Sequence, residues 1–306
     1  MQVNGRKKVD LLATTAIIGS LCCWSTGPIF IKYFTGYIDF WTQNFLRYLT
    51  ACIFWLPFLI YSVRKRKVNN TIWKIALLPA AANVVMQCFW AASFYYIDPT
   101  FMNLLVKSSL VWIAIFSIVF FDDERPLVRS KRFWLGLTLS VAGVCGVLAC
   151  KEGFAERTTI IGVILALFAA FFWAVYTLTV RAAFKHTDSR ISFAVICIYT
   201  VLGLGLLELI FGEFTESLHM GVRQWLYLII SGIIPIAISH VLYYIAIKRI
   251  GATIPSLVLL ASPFTVLAGS YIVFGETLSA LQVVFGLVLI AGSALAIWAQ
   301  EHLKIT

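Results

Sequence analysis

Apolar positions run along this chain in long blocks, unlike the alternation of a strand or the narrow stripe of a water-facing helix. The blocks cover roughly 11–34, 41–62, 72–96, 100–121, 133–150, 160–181, 191–211, 224–247, 252–274 and 280–300. About 20 consecutive apolar residues in a helix cross a hydrocarbon core, so the pattern predicts ten membrane-spanning helices. The interruptions carry turn or charge signals: Thr35-Gly36, Arg64 to Lys67, Asp98-Pro99, Asp122 to Arg132, Lys151 to Arg157, Gly212 to Arg223 and Gly275-Glu276. The shortest, at Asp98-Pro99 and Lys248 to Ala252, count as breaks because runs of nearly 50 residues exceed one crossing.

Composition removes the soluble alternatives. Of 306 residues, 61% are apolar and 12% charged, against roughly 45–50% and 25% in soluble domains. The seven cysteines, an odd number without a C-x-x-C pair, sit mostly in apolar stretches. They read as small core hydrophobes and predict neither disulfides nor zinc.

The net charge of +10 would suggest nucleic acid in a soluble protein, but its placement decides otherwise. Of 24 basic residues, 18 fall at the N-terminus, in alternate connections and in the tail, 3 fall on the opposite side, and Lys32, Arg47 and Lys107 lie inside spans. The positive-inside rule then puts both termini in the cytoplasm of a plasma (inner) membrane protein. The basic excess sets topology, with no nucleic-acid partner. The first apolar run is longer than a signal-peptide core and lacks an A-x-A cleavage pattern, so it reads as a retained helix. Trp41, Trp73, Trp134, Trp225 and Trp298 fall at span ends, as an interfacial belt requires. Trp24, Trp90, Trp112 and Trp173 lie deeper.

The chain repeats weakly. Trp24 and Trp173 are 149 apart, as are Lys32 and Arg181; Thr100 and Thr253 are 153 apart, as are Ser109 and Ser262. Ala142-Gly143 echoes Ala291-Gly292, and Phe121 to Pro126 answers Phe274 to Leu278. Each half holds five spans, an odd number, so the second enters the membrane inverted. The predicted fold is all-α: ten transmembrane helices as two inverted five-helix repeats, 11–150 and 160–300, between cytoplasmic ends at 1–10 and 301–306. Inverted repeats are the architecture of secondary transporters, with the site near the midplane where the halves meet.

Specific residues carry a family resemblance. The stretch Tyr243 to Thr253, then Ala261-Ser262-Pro263 through Phe274-Gly275-Glu276-Thr277-Leu278 to Gly286-Leu287 and Ala291-Gly292, resembles the EamA domain of the drug/metabolite transporter superfamily. The first half carries the pattern more loosely in Arg47-Tyr48-Leu49, Asp123 to Pro126, and Gly136 with Ala142-Gly143. Asp122-Asp123 departs from it, standing where a shorter Gly-Glu turn is expected. The resemblance implies a ten-helix carrier for a small metabolite.

Polar groups inside spans mark the candidate site, because an ionisable residue there costs about 2.5–3.5 kcal/mol on insertion scales. Lys107 lies seven residues into its span, about 10 Å deep at 1.5 Å per residue. It reads as a substrate-facing cation or as a donor to a helix carbonyl, with Asn103 on the same face. Gln87 and His240 form a pair 153 apart, followed at i+3 by Trp90 and Tyr243. Each polar–aromatic pair shares one helix face, and the two read as walls of one cavity or as core filling. His240 reads as a packing residue or a proton carrier. Trp24, Trp173 and Tyr176 complete the candidate aromatic wall. Arg47, which matches a recurring arginine in the resemblance, reads as architectural; Glu208 is either its ion-pair partner or an interfacial group. Lys32 is near enough to its span's end to snorkel. Pro28, Pro79, Pro235, Pro255 and Pro263 interrupt spans and free carbonyls, with functional kinks expected at Pro235 and Pro263.

No G-x-x-x-x-G-K-[ST] loop and no His/Cys/Asp cluster occurs, so neither a nucleotide motor, a metal nor another cofactor is expected. The expected function is secondary transport by alternating access, exporting a carboxylate-bearing metabolite such as an amino acid or relative. The expected partners are that substrate and the bilayer. Two rivals remain: efflux of aromatic or cationic drug-like compounds through cation–π contacts, and a membrane-embedded transferase. The second would need a paired acidic cluster facing Asp122-Asp123-Glu124. A receptor or scaffold would call for an extended soluble domain.

Overall fold

The structure is a computed structural model that describes residues 10–66, 68–120, 130–150, 156–184, 187–250 and 258–303. The Asp122 to Pro126 loop, Thr253 and Pro255, and the side chains of Lys248 and Trp298, lie outside that description. The described residues are helical throughout, with no strand. In order they form α1 (Leu11–Phe34), α2 (Phe40–Arg64), α3 (Thr71–Ile75), α4 (Leu77–Ser93), α5 (Pro99–Val106), α6 (Ser109–Phe120) and α7 (Lys131–Ala149). There follow α8 (Arg157–Phe184), α9 (Ser189–Phe211), α10 (Phe214–Leu218), α11 (Val222–Gly232), a π-helical turn (Ile233–Ile238), α12 (Ser239–Ile250), α13 (Ser262–Phe274) and α14 (Ala280–Leu303). Among the described residues six helical stretches are long and apolar enough to cross a membrane: Leu11–Phe34, Phe40–Arg64, Thr71–Ser93, Thr159–Phe184, Ser189–Phe211 and Val222–Ala246.

Burial is distributed as lipid demands. Leu209 and Ile272 are 82% and 81% exposed, whereas Gln43 and Asn44 are fully buried. Apolar side chains outside and amides inside would be costly in water; in hydrocarbon the apolar face is the solvated one, and the amide NH2 groups of Gln43 and Asn44 donate to partners within. Asn44 Nδ2 donates to the Gln87 carbonyl at 2.7 Å, joining α2 to α4.

Local chemistry sets the helix ends. Asp39 caps α2 by accepting from Trp41 N and Thr42 N at 2.8 and 3.0 Å. Asp188, 149 residues on, caps α9 by accepting from Arg190 N at 2.8 Å. Gly275 ends α13 at φ +70°, a left-handed cap open to glycine without steric cost. The first turn of α5 is closed from the other half of the chain: Thr100 N and Oγ1 donate to the Glu276 carboxylate at 3.0 and 2.7 Å, and Ser270 Oγ donates to it as well.

The helices pack in pairs: α2 on α9, α4 on α8, α1 on α12, α5 on α13, and α7 along α14. In the last pair a Cβ on Gly143 would fall 2.5 Å from the Leu289 nitrogen, and one on Gly292 would fall 2.6 Å from the Ser140 nitrogen. Gly143 and Gly292 are 149 apart, and so are Ser140 and Leu289. The contact is therefore reciprocal: each glycine admits the backbone that stands where its counterpart's neighbour stands.

Three expectations need correction. The apolar run at 100–121 is not one continuous helix; it breaks at Lys107-Ser108 between α5 and α6. Pro263 does not kink a helix interior; it sits in the first turn of α13, where its missing N–H removes no bond. Lys32 also differs from a simple snorkelling residue. Its Nζ donates to the Phe94 and Ile97 carbonyls at 3.1 and 3.5 Å and lies 4.0 Å from Asp98, fastening α1 to the turn before α5.

Candidate functional site

A cavity of about 140 Å³ lies where α1, α2, α4, α5, α8 and the π-turn converge. Its mid-chain floor consists of two helix breaks. At the first, Ser108 N donates to Leu105 O at 3.0 Å and Val111 N to Ser108 O at 3.0 Å. At the second, Ala261 N donates to Val258 O and Phe264 N to Ala261 O, both at 3.1 Å. Each of these four donors and acceptors has its counterpart 153 residues away, so one tight turn is built twice. Ser109 and Ser262, the first residues of α6 and α13, both line the cavity. Helix N-termini carry unpaired amides and partial positive charge.

Lys107 sits on the first break and lines the cavity. Of its two readings, the carbonyl-bound one does not occur: the ammonium has no hydrogen bond or ion pair among the described residues. Asn103, one turn earlier, also lines the cavity and accepts from Ser262 Oγ at 2.8 Å, bridging the two breaks. Arg47 reaches the cavity from α2 and is 3% exposed. Its Nε donates to Ser231 Oγ at 3.2 Å, with Nη2 3.5 Å from the Ser231 carbonyl. No ion pair joins it to Glu208, which is buried at the end of α9 beside Thr42 and Gly212.

The walls are aromatic. Trp24 stands at the centre, with ring centroids 5.7 Å from Trp173, 5.2 Å from His240 and 4.9 Å from Tyr243. Trp24 and Trp173 are repeat counterparts, and they touch. Gln87 and Trp90 face the cavity from α4, and Pro28 and Pro235 border it. Tyr176 is the exception among the expected lining. It lies behind Trp173 at 5.8 Å, 2% exposed, with its hydroxyl 2.5 Å from that of Tyr244. One helical turn from Trp173 carries it out of the wall and into a buried pair. Trp112 packs on Phe116 and Phe171 instead.

The π-turn is held from three sides. Trp55 Nε1 donates to Ala237 O at 2.8 Å, Ser20 Oγ donates to Ser239 O at 3.0 Å, and Ser239 Oγ donates to Pro235 O at 2.6 Å. His240 Nδ1 lies 2.9 Å from Ile236 O, and its ring stacks on Phe193 at 5.1 Å. Gly27 lets α1 approach, since a Cβ there would sit 3.3 Å from Pro235 Cβ. Sequence reasoning passed over Trp55, Ser231 and Gly27. Trp55 lies inside an apolar run, and a ring's one donor has no visible target until helices pack. Ser109 and Ser262 were visible as a repeat match but not as cavity residues.

The ionisable lining is basic: among the described residues it contains Arg47, Lys107 and His240, and no aspartate or glutamate. A cavity with two cations, no acid and an aromatic wall can bind an anion that has an apolar part.

A helical bundle solvated by lipid, with a central cavity at paired helix breaks, has the form of a membrane carrier. The profile of the EamA-like transporter family matches the chain twice, over residues 11–149 and 160–298. The chain belongs to that family. A curated relative from Archaeoglobus fulgidus, described as an uncharacterized transporter, is 26% identical over 283 residues, covering 92% of this chain and 94% of its own. An uncharacterized transporter of Haemophilus influenzae is 23% identical over 184 residues, covering 58% and 59%. A solved structure titled only "Crystal structure of protein" superposes with a TM-score of 0.66 at 16% identity, over 95% of this chain and 98% of that one, and so shares the fold. This is a multi-pass membrane transporter.

Proposed function

We propose that the chain is a secondary carrier that exports a small carboxylate-bearing metabolite, an amino acid or relative, by alternating access. The carrying observation is Lys107: a cation at the cavity surface, on a helix break, without a side-chain partner among the described residues. An intramembrane charge of this kind needs a counter-ion, and among the described residues the lining holds no acid to supply one. A substrate carboxylate between Lys107 and the N-termini of α6 and α13 meets that need. Trp24, Trp90, Trp173 and Tyr243 take its apolar part, while Gln87 and Asn103 set its orientation.

Ten spans in two inverted repeats are the matching architecture. Under exchange of the halves, α2–α9 and α7–α14 map onto themselves, and α4–α8 maps onto α12–α1. The reciprocal glycine contacts and the paired breaks support this reading, as do the paired caps Asp39 and Asp188. Two near-equivalent packings of such halves expose the cavity to alternate sides. Both termini are cytoplasmic in a plasma membrane on the distribution of basic residues. Efflux of aromatic cations has the Trp24 cluster in its favour, but a free cation bound beside Arg47 and Lys107 would be repelled.

The test compares medium metabolites from cells expressing the native chain, Lys107→Ala at matched membrane level, and an empty vector. The expected result is a carboxylate-bearing compound that accumulates outside only with the native chain. Identical export by both proteins would remove Lys107 from the site and favour the cationic reading.

A further inference from the structure

We infer that His240 is a proton-binding site coupled to the anion site, so that each carboxylate crosses together with one proton. The inference rests on the anion reading of the cavity.

It begins with the two ring nitrogens. Ile236 O, 2.9 Å from Nδ1, is only an acceptor, so Nδ1 carries the hydrogen and a neutral ring leaves its lone pair on Nε2. Nε2 is buried and has no hydrogen-bond partner among the described residues, in a residue 3% exposed. An unmet buried acceptor costs about 1–3 kcal/mol, which a proton or a donor removes in another state of the transport cycle. The ring is also placed where states change. It is anchored to the π-turn, a local irregularity frequent at functional sites, and closed off by Trp24, perpendicular to it, and by the stacked face of Phe193.

The surroundings decide what a proton on Nε2 needs. From α1 comes Trp24, while the Lys32 ammonium of that helix is engaged at the Phe94 and Ile97 carbonyls. From α2 come Arg47 and Tyr48, and from α9 Cys197 beside Phe193. The turn between α5 and α6 contributes Lys107. On its own helix lie Tyr243 and Tyr244, the latter bound to Tyr176 of α8; in α11 Arg223 is taken up by Tyr227. No carboxylate faces the ring among the described residues. Protonation therefore makes a third positive charge in a cavity without an acid, and the compensating charge is the substrate carboxylate. Anion and proton each favour the other's binding, by the reciprocity of linked equilibria.

The step balances simply. On the open side the Nε2 lone pair takes a proton from hydronium, leaving water; on the other side Nε2–H⁺ returns it to water, and the ring is neutral again. A monoanion and a proton cross with no net charge. An outward gradient of the carboxylate carries protons out with it.

Benzoate, a carboxylate ionised above pH 5.5 with an aromatic body, is the probe. Its affinity for the purified full-length protein is read from tryptophan fluorescence between pH 5.5 and 8. The expected dissociation constant rises about tenfold per pH unit across the linked interval, and in His240→Gln, whatever its absolute affinity, the slope is flat. A flat native slope, or a slope retained in His240→Gln, overturns the inference; the latter passes the proton to Lys107. A second measurement needs no variant. With ¹⁵N-labelled histidine, of which the chain has four, benzoate added at pH 6 moves His240 Nε2 from the unprotonated to the protonated signal. An unmoved signal with benzoate bound overturns the coupling and leaves the anion site standing. No benzoate binding by the native protein at any pH takes down the anion reading, and this inference with it.

Discussion

The two helix breaks at the floor of the cavity have the same backbone and different chemistry. Ser108 N to Leu105 O and Ala261 N to Val258 O are one hydrogen bond written twice, 153 residues apart. Yet the first break carries Lys107 and the second carries Leu260, 3% exposed and apolar. The repeat thus supplies a place where a helix opens, and the departure from the repeat supplies the charge. Symmetry here explains architecture, and its violation points to selectivity.

Making the breaks chemically alike is the strongest way to test that division. Lys107→Leu is expected to lower carboxylate transport about 100-fold or more, the scale on which a buried charge loses its partner. Thermal unfolding in detergent should show no loss of stability, because a cation without a partner among the described residues leaves the bundle. Adding Leu260→Lys to that variant moves the charge to the related break and should restore part of the flux. A destabilised Lys107→Leu protein would mean that the lysine is structural.

The helix contact is the control, a place where symmetry holds. Gly143→Ala and Gly292→Ala each push a Cβ against backbone, at 2.5 and 2.6 Å, and each should destabilise by about 1–3 kcal/mol. Equal losses, read from unfolding curves, support equivalence; a large inequality breaks it. Smaller effects belong to the π-turn, which has no described counterpart in the first half. Trp55→Phe strands the Ala237 carbonyl and should cost about 1 kcal/mol, with the transport rate falling further than stability if the turn moves in the cycle.

The smallest effect concerns a cap. Asp188→Ala should cost about 1 kcal/mol. The Arg190 guanidinium, helped by the Arg190 amide, holds the Asp188 carboxyl below its ordinary value. Its stabilisation is therefore complete above the ordinary aspartate range and is lost as pH falls through the lowered value. Unfolding midpoints measured down through the acid range should fall less steeply in Asp188→Asn than in the native protein.

Much of this was legible in the sequence, because lipid imposes a strong rule: apolar runs of spanning length, charge sorted by side, and intramembrane polar groups turned inward. Lys107, Asn103, Gln87, Trp90, Trp24, Trp173, His240 and Tyr243 all border the cavity for that reason. Tyr176 did not follow, since i+3 spacing gives a helix face only to within about one residue's turn, and the hydroxyl found Tyr244. Glu208 reads from the sequence as a partner for Arg47 or as an interfacial group, and the fold gives the guanidinium a serine instead. The break at Lys107-Ser108 left only a Lys-Ser-Ser sequence as its signal. The π-turn left Pro235 alone, because a change of helical register depends on carbonyls finding donors such as Trp55 on another helix.

Glu276 closing the first turn of α5 from the opposite half has a consequence for assembly. A chain severed between residues 150 and 156 would yield two pieces, and neither would hold a complete set of its own helix ends. The first would carry Thr100 without its carboxylate, and the second Glu276 without its amide. The two pieces would complete each other's helix end only by meeting in one membrane, so co-production is expected to restore transport that neither piece supports alone.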